Sequence, residues 1–393
     1  LTKTPELVRE EIEGMMAKAV AAAKTATPPA LPDHFHVEIT YVHHYDAYGC
    51  SHYPGASLIS PTTVAFDADD YGDVLRFFYF VIYETEVYAM AVIAYQYRGE
   101  LVDQVHRGHI AVTDHTGKIL WKLGDPERLT FARSSAKPLQ AIPVAESGAL
   151  EHYGITQQEL AVICSSHNGE PFHVKAVESI LHKAGLSPDQ LCCGSEYPMY
   201  VPAEDALKIA GIPRAPIYCD CSGKHAGMLI TARHLGESLE NYTALEHPVQ
   251  QRILSVFAEM CGVETSDVQL AVDGCGVPVH ALPLYRLAQG YARMSLPTLF
   301  DPTRAAVLRR ITSAMTAHPE MVAGTDRICT QLMAAFGDRI FCKSGASAFY
   351  AVGIKDKGIG IALKMEDGAS SIVPYAILSV LTQLGVITPE EAC

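Results

Sequence analysis

The sequence predicts an α/β chain of the α+β kind, a largely antiparallel sheet flanked by helices, over residues 93–393. Three patterns carry that expectation. VHRGHIAVTDHTGKILWKLG, starting at Val105, alternates apolar and polar residues on both sides of a turn at His115–Gly117, as two hairpin strands do. GDRIFCKSGASAFYAVGIKDKGIGIALKMEDG, starting at Gly337, reads as three more strands with turns at Ser344–Gly345 and Lys355–Gly358. Between and after these blocks, apolar positions recur at helical spacing over 134–151, 171–186, 205–210, 224–236, 246–261, 302–317, 326–336 and 372–386.

Taken in order, the chain opens with a segment of different texture. Residues 1–92 hold 5 basic and 13 acidic side chains and eight of the nineteen tyrosines, and they read as a separate N-terminal extension. Thr4 caps PELVREEIEGMMAKAVAAAK as an amphipathic helix with Pro5 at its first position, and ATPPALP at 26–32 follows as a linker. Strands are expected across 34–97. His34, His36, His43, His44, Cys50 and His52 crowd this stretch, but their spacing matches no standard metal signature, so histidines scattered on a half-exposed sheet are the favoured reading. The apolar run 77–95 has the length of a membrane span. Glu84 and Glu86 near its middle favour a pair of Tyr- and Val-rich strands instead.

In the main block, LAVICSS at 160–166 reads as a short buried strand that delivers Ser165, Ser166 and His167 at its end, where α/β proteins commonly place their chemistry. The helix after it stops at Gly185 and Pro188. At 393 residues, 49% of them hydrophobic, the chain is long enough for real cores. The 30 basic and 44 acidic side chains leave a net charge of −14, which repels phosphate backbones and anionic lipid, so nucleic acid and membrane surfaces are not expected partners. Eleven cysteines in tight groups or singly across so long a chain do not make a small disulfide scaffold. They read as reduced thiols, and the expected compartment is the cytoplasm. No signal peptide is read in residues 1–24, which mix charges through their apolar positions.

Three short signatures carry the chemistry: RSSAK at 133–137, SHN at 166–168 and KSG at 343–345. A serine three residues before a lysine, then Ser-x-Asn, then Lys-Ser-Gly is the order of a lysine-assisted acyl-transfer site. On a helix Ser134 and Lys137 share a face, so the amine can reach the hydroxyl. Serine is a poor nucleophile until a neutral lysine takes its proton, and two neighbouring lysines depress one another's pKa. Two pairs follow, Ser134 with Lys137 and Ser166 with Lys343, with Ser134 preferred as nucleophile. Taken alone, RSSAKP is also a helix entry, SSHNGE a strand-end turn and KSG a hairpin turn; their joint order favours catalysis.

IYCDCSGKHAGM sets Cys219 and Cys221 just before a helix, and VDGCGVPVH sets Cys275 in a glycine-rich loop. Thiolates at a helix start bind soft or borderline cations such as zinc, so these cysteines, with His225 or Lys224, form either an open tetrahedral metal site or a set of buried inert thiols. Arg133 suits a two-pronged contact with a carboxylate, or a structural ion pair. Asp273 suits an ammonium, or a cap on its own loop.

VHRGH, RSSAKPLQA, CSSHNGE, CDCSGKHAGML, VDGCGVP, HPEMVAG and KSGASAFYAVG, spread from about Ala94 to Gly368, together resemble the L-asparaginases of the Rhizobium etli type, the thermolabile, inducible class. The resemblance implies a fold similar to serine β-lactamases and glutaminases, a homodimer, and hydrolysis of asparagine to aspartate and ammonia. It implies two Ser-Lys pairs at Ser134–Lys137 and Ser166–Lys343, zinc held by Cys221, Lys224 and Cys275, and neighbouring polar positions at Arg133, His225 and Asp273. An acidic residue usually follows KSGA in that family, where this chain has Ser347; the family also extends beyond the point corresponding to TPEEAC, so the catalytic domain reads as shortened at its C-terminus. Other readings are a glutaminase, a penicillin-recognising serine hydrolase and a catalytically silent homologue. Only 29 residues separate Lys137 from Ser166, short for the helical domain that penicillin-recognising enzymes insert there.

Overall fold

The structure, a computed structural model, describes residues 91–392 and two earlier strands, β1 (His36–Asp46) and β2 (Ser57–Asp67). Contacts divide the chain into a unit over 1–88 and a unit over 89–393. In the first unit β1 and β2 form an antiparallel pair in continuous register, His36 opposite Asp67 through Asp46 opposite Ser57. The expected helix over 5–24, the linker at 26–32, His34, Cys50 and His52 lie outside the described residues, as do the side chains of His36, His43 and His44.

The second unit contributes β3 (Ala91–Arg98), β4 (Leu101–Asp114), β5 (Ile119–Leu123) and β6 (Leu129–Phe131). Helices α1 (Lys137–Glu146), α2 (Ala149–His152), α3 (Gln157–Ile163), α4 (Pro171–Lys183), α5 (Val201–Ile209), α6 (Ser222–His234) and α7 (Pro248–Cys261) follow. Next come β7 (Gln269–Val272), β8 (Pro278–Pro283), α8 (Leu284–Met294), α9 (Pro302–Ala317), α10 (Pro319–Val322) and α11 (Ile328–Phe336). Strands β9 (Ile340–Gly345), β10 (Phe349–Ile354) and β11 (Ile359–Met365) and helix α12 (Val373–Gln383) complete it. The main sheet runs β3-β4-β11-β10-β9, with β5 also paired to β4, and a smaller sheet runs β6-β8-β7. Every pairing is antiparallel, so the chain has the mixed α/β, largely antiparallel architecture its sequence predicts.

Both expected strand blocks are present. The Asp114–Lys118 turn between β4 and β5 is fixed by the Asp114 carboxylate, which accepts from the Thr116 and Lys118 amides. Strand β10 is buried at every position and pairs with β9 and β11 on its two sides, which explains its unbroken apolar run. Helix α8 packs on this sheet so closely that a Cβ on Gly360 would stand 1.9 Å from the Ala288 carbonyl oxygen. Only glycine permits that approach. The same helix holds the turn that carries Ser134, because the Tyr291 hydroxyl donates to the Ser135 carbonyl at 2.7 Å.

One element corrects the sequence reading. The run at 160–166 is not a strand; Leu160–Ile163 form the end of α3, and Ser165–His167 follow as irregular chain. Thr156 and Glu159 start this helix through a reciprocal capping box. The run lacks alternation because the end of the helix, Glu159–Ile163, is buried at every position: α6 crosses so near that a Cβ on Gly223 would meet the Val162 carbonyl oxygen at 2.1 Å. A short, fully buried helix and a buried strand have the same apolar pattern. No described helix is long and apolar enough to cross a membrane.

Candidate active site

The site forms where four irregular segments meet: the turn before α1, the chain between α3 and α4, the entry to α6 and the end of β9. Ser134 lies in a single 3-10 turn, Arg133–Ala136, that runs directly into α1, whose first residue is Lys137. Arg133 opens that turn at φ 49°, a left-handed conformation that costs a side-chain-bearing residue on the order of 1–3 kcal/mol and commonly marks a functional turn. Lys343 extends from β9 and is fully buried, while Lys137 is 1% exposed.

The two ammonium groups converge on a single hydroxyl. Lys137 Nζ donates to Ser166 Oγ at 2.8 Å, and Lys343 Nζ donates to the same oxygen at 2.9 Å. Lys137 also reaches the Asp220 carbonyl at 3.4 Å and its carboxylate at 3.7 Å, and Lys343 the Ser344 carbonyl at 2.9 Å. Burial pulls the Lys343 ammonium down to about 8; Cys329 opposes this, and Lys137 and Arg327 reinforce it. Burial also opposes charge on Lys137, yet Cys221 and Asp220 outweigh it and hold that ammonium above the usual lysine range. The two lysines are therefore driven apart in basicity, the arrangement that assigns acid and base roles to like groups.

Ser166 is held rigidly. Its amide donates to the Val322 carbonyl, and the His167 amide donates to the Asp220 carbonyl. His167 Nδ1 accepts from the Gly169 amide at 3.0 Å, so Nε2 carries the proton and donates to Ser222 Oγ at 2.8 Å. Asn168 donates to the Thr325 carbonyl and accepts from Arg327, and Glu170 accepts from both the amide and the hydroxyl of Thr325. Gly324 makes this lock possible: it sits at φ +112°, where a Cβ would stand 2.5 Å from Glu170 Oε1.

Beside the lysines lies a cavity of about 340 Å³ whose wall includes Arg133, Ser134, Asp220, Cys221, Asp273 and Cys275. A narrower cleft next to it is bounded by Ser134, Lys137 and Lys224. Arg133 and Asp273 form a two-pronged ion pair at 2.9 and 2.8 Å. Lys224 Nζ lies 2.9 Å from Cys275 Sγ, and the thiol of Cys221 is held well below its usual range, first by Cys219 and Cys275 and then by the neighbouring lysines. The Cys221 and Cys275 thiols on the cavity wall, with the Lys224 amine behind them in the narrower cleft and in contact with Cys275, are a donor set that fits zinc.

Residues 94–393 match the family model described as L-asparaginase II. The chain belongs to the L-asparaginase II family, whose members are amidohydrolases. Residues 1–80 match a second family model, D-aminopeptidase, which the sequence reading did not assign. No curated protein matches the chain. Among solved structures it is similar to Mglu in its tris and glutamate form, at 16% identity and a TM-score of 0.40, over 76% of this chain and 63% of that one. A beta-lactamase from Mycobacterium bovis is similar at 14% identity and a TM-score of 0.37, over 70% and 94%. The chain spans less than two thirds of the length of Mglu.

In this L-asparaginase II family member the sequence signatures meet: the expected pair Ser166–Lys343 forms, and the expected pair Ser134–Lys137 does not. Ser166 bridges both lysines, whereas Lys137 donates to Ser166 and Asp220 rather than to Ser134. Ser134 Oγ makes no hydrogen bond among the described residues and faces the cavity. Its place in a 3-10 turn instead of on the helix itself is why the one-face geometry of Ser134 and Lys137 is not realised. His225 does not line the cavity: it is fully buried, with Nδ1 2.8 Å from the Tyr242 hydroxyl, because its position on α6 faces the core. Ser347 sits exposed at the tip of the β9–β10 hairpin at φ 57°. Asp220, Cys193 and Glu196, which also line the cavity, were missed as site residues. The CDC triplet was the one available signal for Asp220; Cys193 and Glu196 are brought in by a long loop that no local pattern announces.

Proposed function

We propose that the chain is an L-asparagine amidohydrolase working through an acyl-enzyme on Ser134, with a proton path through Lys137, Ser166 and Lys343. The observation that carries this reading is Ser166 Oγ held at 2.8 and 2.9 Å from the two lysine nitrogens, beside a cavity walled by Ser134. Ser134 Oγ attacks the side-chain carboxamide carbon. With substrate bound, the Ser134 hydroxyl turns to Lys137 across the cleft they share and gives it the proton, as Lys137 passes one of its own to Ser166 and Ser166 passes one to Lys343, the only one of the two lysines whose amine is substantially neutral near pH 8. Collapse of the adduct breaks the C–N bond and expels ammonia as the proton returns along the same path. Water then cleaves the ester, releasing aspartate and restoring Ser134.

Arg133 and Asp273 are suited to take the α-carboxylate and α-ammonium of the amino acid on the free faces of their ion pair. With serine at 347, the carboxylates on the cavity wall come from Glu196, Asp220 and Asp273. Cys221, Lys224 and Cys275 would hold zinc, which when bound supplies a fixed positive charge at that wall. We also propose a homodimer in the cytoplasm; the nine described cysteines, all free thiols, support a reducing compartment.

A second reading makes Ser166 the nucleophile, favoured by its two lysine contacts. It requires a hydroxyl 5% exposed, on a residue whose amide is already spent on Val322 and is not free to bind an oxyanion. Ammonia release from L-asparagine, with L-glutamine and a chromogenic β-lactam as parallel substrates, tests the activity. Mass spectrometry of the quenched reaction locates the acyl group. An aspartyl adduct on the peptide carrying Ser134 is expected; an adduct on Ser166 moves the nucleophile, and no ammonia from folded, zinc-supplied protein overturns the reading.

A further inference from the structure

The cavity wall carries more sulfur than the zinc site proposed above uses. Cys193 and Cys219, 3% and 4% exposed, join Cys221 and Cys275 around it. Cys219 interacts with the thiols of Cys193 and Cys221, and Cys221 interacts in turn with Cys275, so the four sulfurs form a continuous string. The donor atoms of Cys219, Asp220 and Cys221 all lie within 4.8 Å of one another. The Asp220 carboxylate is divided between two neighbours: Oδ2 faces Lys137 at 3.7 Å, and Oδ1 lies 3.8 Å from Cys219 Sγ.

We propose that Cys193, Cys219 and Asp220, with Cys221 shared, form a second site for a soft or borderline divalent cation, zinc by preference, next to that of Cys221, Lys224 and Cys275. Zinc–sulfur bonds of about 2.3 Å in a tetrahedral arrangement set sulfurs about 3.8 Å apart, so the donors of Cys219, Asp220 and Cys221, within 4.8 Å of one another, reach the ion by side-chain adjustments of roughly half an ångström each, and Cys193 joins them from its contact with Cys219. The backbone around them is already held. Cys219 is the C-cap of the 3-10 turn Pro216–Tyr218, and Cys221 caps α6. The Cys193 and Cys219 thiols now donate to the Pro216 and Cys193 carbonyls at 3.3 Å each. Binding the cation replaces those two contacts and releases both thiol protons to solvent. Cys221, with a thiol neighbour on either side, is the bridging ligand.

The site extends the zinc reading, and it does not depend on which amide the enzyme hydrolyses. Its test uses the full chain purified under a non-chelating reductant and supplied with zinc, with metal counted per chain and thiols mapped by alkylation and mass spectrometry. Two zinc ions per chain are expected, with Cys193 and Cys219 protected from alkylation until a chelator is added. The Cys193→Ser, Cys219→Ser double variant should retain one ion and Cys275→Ser should lose the other. Replacement of zinc by cobalt should give a thiolate charge-transfer band that weakens in both variants. The alkylation map needs no variant, so misfolding of the mutants does not remove the test. One ion per chain with Cys193 and Cys219 alkylated at the same rate with and without chelator overturns the proposal, as does a disulfide between them. Loss of zinc from Cys275→Ser alone would leave the first site standing and sink the second.

Discussion

Lys343→Met should separate the cost of the buried lysine from its use. Burial holds the Lys343 pKa at about 8 against 10.5 for an exposed lysine, a gap worth about 3 kcal/mol at 1.4 kcal/mol per unit. Because the folded value is the lower one, the unfolded chain binds the proton more tightly between these limits. The cost to folding is therefore fully present below pH 8 and fades as the pH rises towards 10.5. Methionine has no such term. It also loses the bonds to Ser166 and to the Ser344 carbonyl, so the absolute stability of the variant at one pH decides little. The pH dependence of the difference is decisive. Denaturant unfolding of both proteins at intervals from pH 7 to 10.5 should show wild type gaining up to about 3 kcal/mol relative to the variant. The same titration appears in catalysis: about one tenth of Lys343 is neutral at pH 7 and about nine tenths at pH 9, so kcat/KM of the wild type should climb roughly tenfold per pH unit below 8 and then level. The variant should lose about 10²–10⁴ in rate. A stability difference flat across this range, or a wild-type profile with no limb near pH 8, refutes the assignment of Lys343 as the proton acceptor.

Arg133→Gln should raise KM for asparagine by roughly 10–100-fold with a smaller change in kcat, since it removes a charge-assisted contact and leaves Asp273 unpaired; steady-state kinetics decides, and an unchanged KM removes Arg133 from substrate binding. Gly360→Ala forces α8 away from the sheet, because its Cβ meets the Ala288 carbonyl at 1.9 Å, and should cost about 2–3 kcal/mol, seen as a fall in Tm by calorimetry. Thr156→Ala removes the side-chain half of the α3 capping box and should cost about 1 kcal/mol in denaturant unfolding with the site geometry intact.

Where the sequence was legible, a local rule acted on consecutive residues. The β4–β5 hairpin was predicted by alternation interrupted at an Asp-x-Thr-Gly turn, and α6 by a helical pattern after CSG; both formed as read. The helix α3 was misread because burial on all sides erases the periodicity that separates helix from strand. Helix α8 was missed in LYRLAQGYARM although it is the element that seats the Ser134 turn. The partner of Lys137 was illegible for another reason. Spacing of i and i+3 promised Ser134 to Lys137, but that promise holds only on an α-helix, and the helix begins one turn too late, at Lys137 itself. The lysine was left to point at whichever hydroxyl the long-range fold supplied, and that was Ser166, 29 residues on.

This exchange of partners gives the two serines different work. A nucleophile must meet substrate and must have unspent hydrogen-bond donors beside it for the oxyanion; a proton carrier needs neither, but it must hold its two neighbours at fixed distance. Ser134 faces the cavity with its hydroxyl unengaged, next to Arg133 on the wall and near Ala346 at the end of β9. Ser166 has the opposite character: 5% exposed, its amide donated to Val322, its oxygen fixed by two lysines, and the turn that carries it tied down through His167, Asn168 and Glu170. Rigidity of this kind suits proton transfer, where donor–acceptor distance governs the rate, while burial and the spent amide disfavour Ser166 as the group that meets a carbonyl carbon. The burial of Ser166 therefore supports the proposed relay role independently of any pKa, and with it the proposal that substrate is recognised across the cavity by Ser134, Arg133 and Asp273.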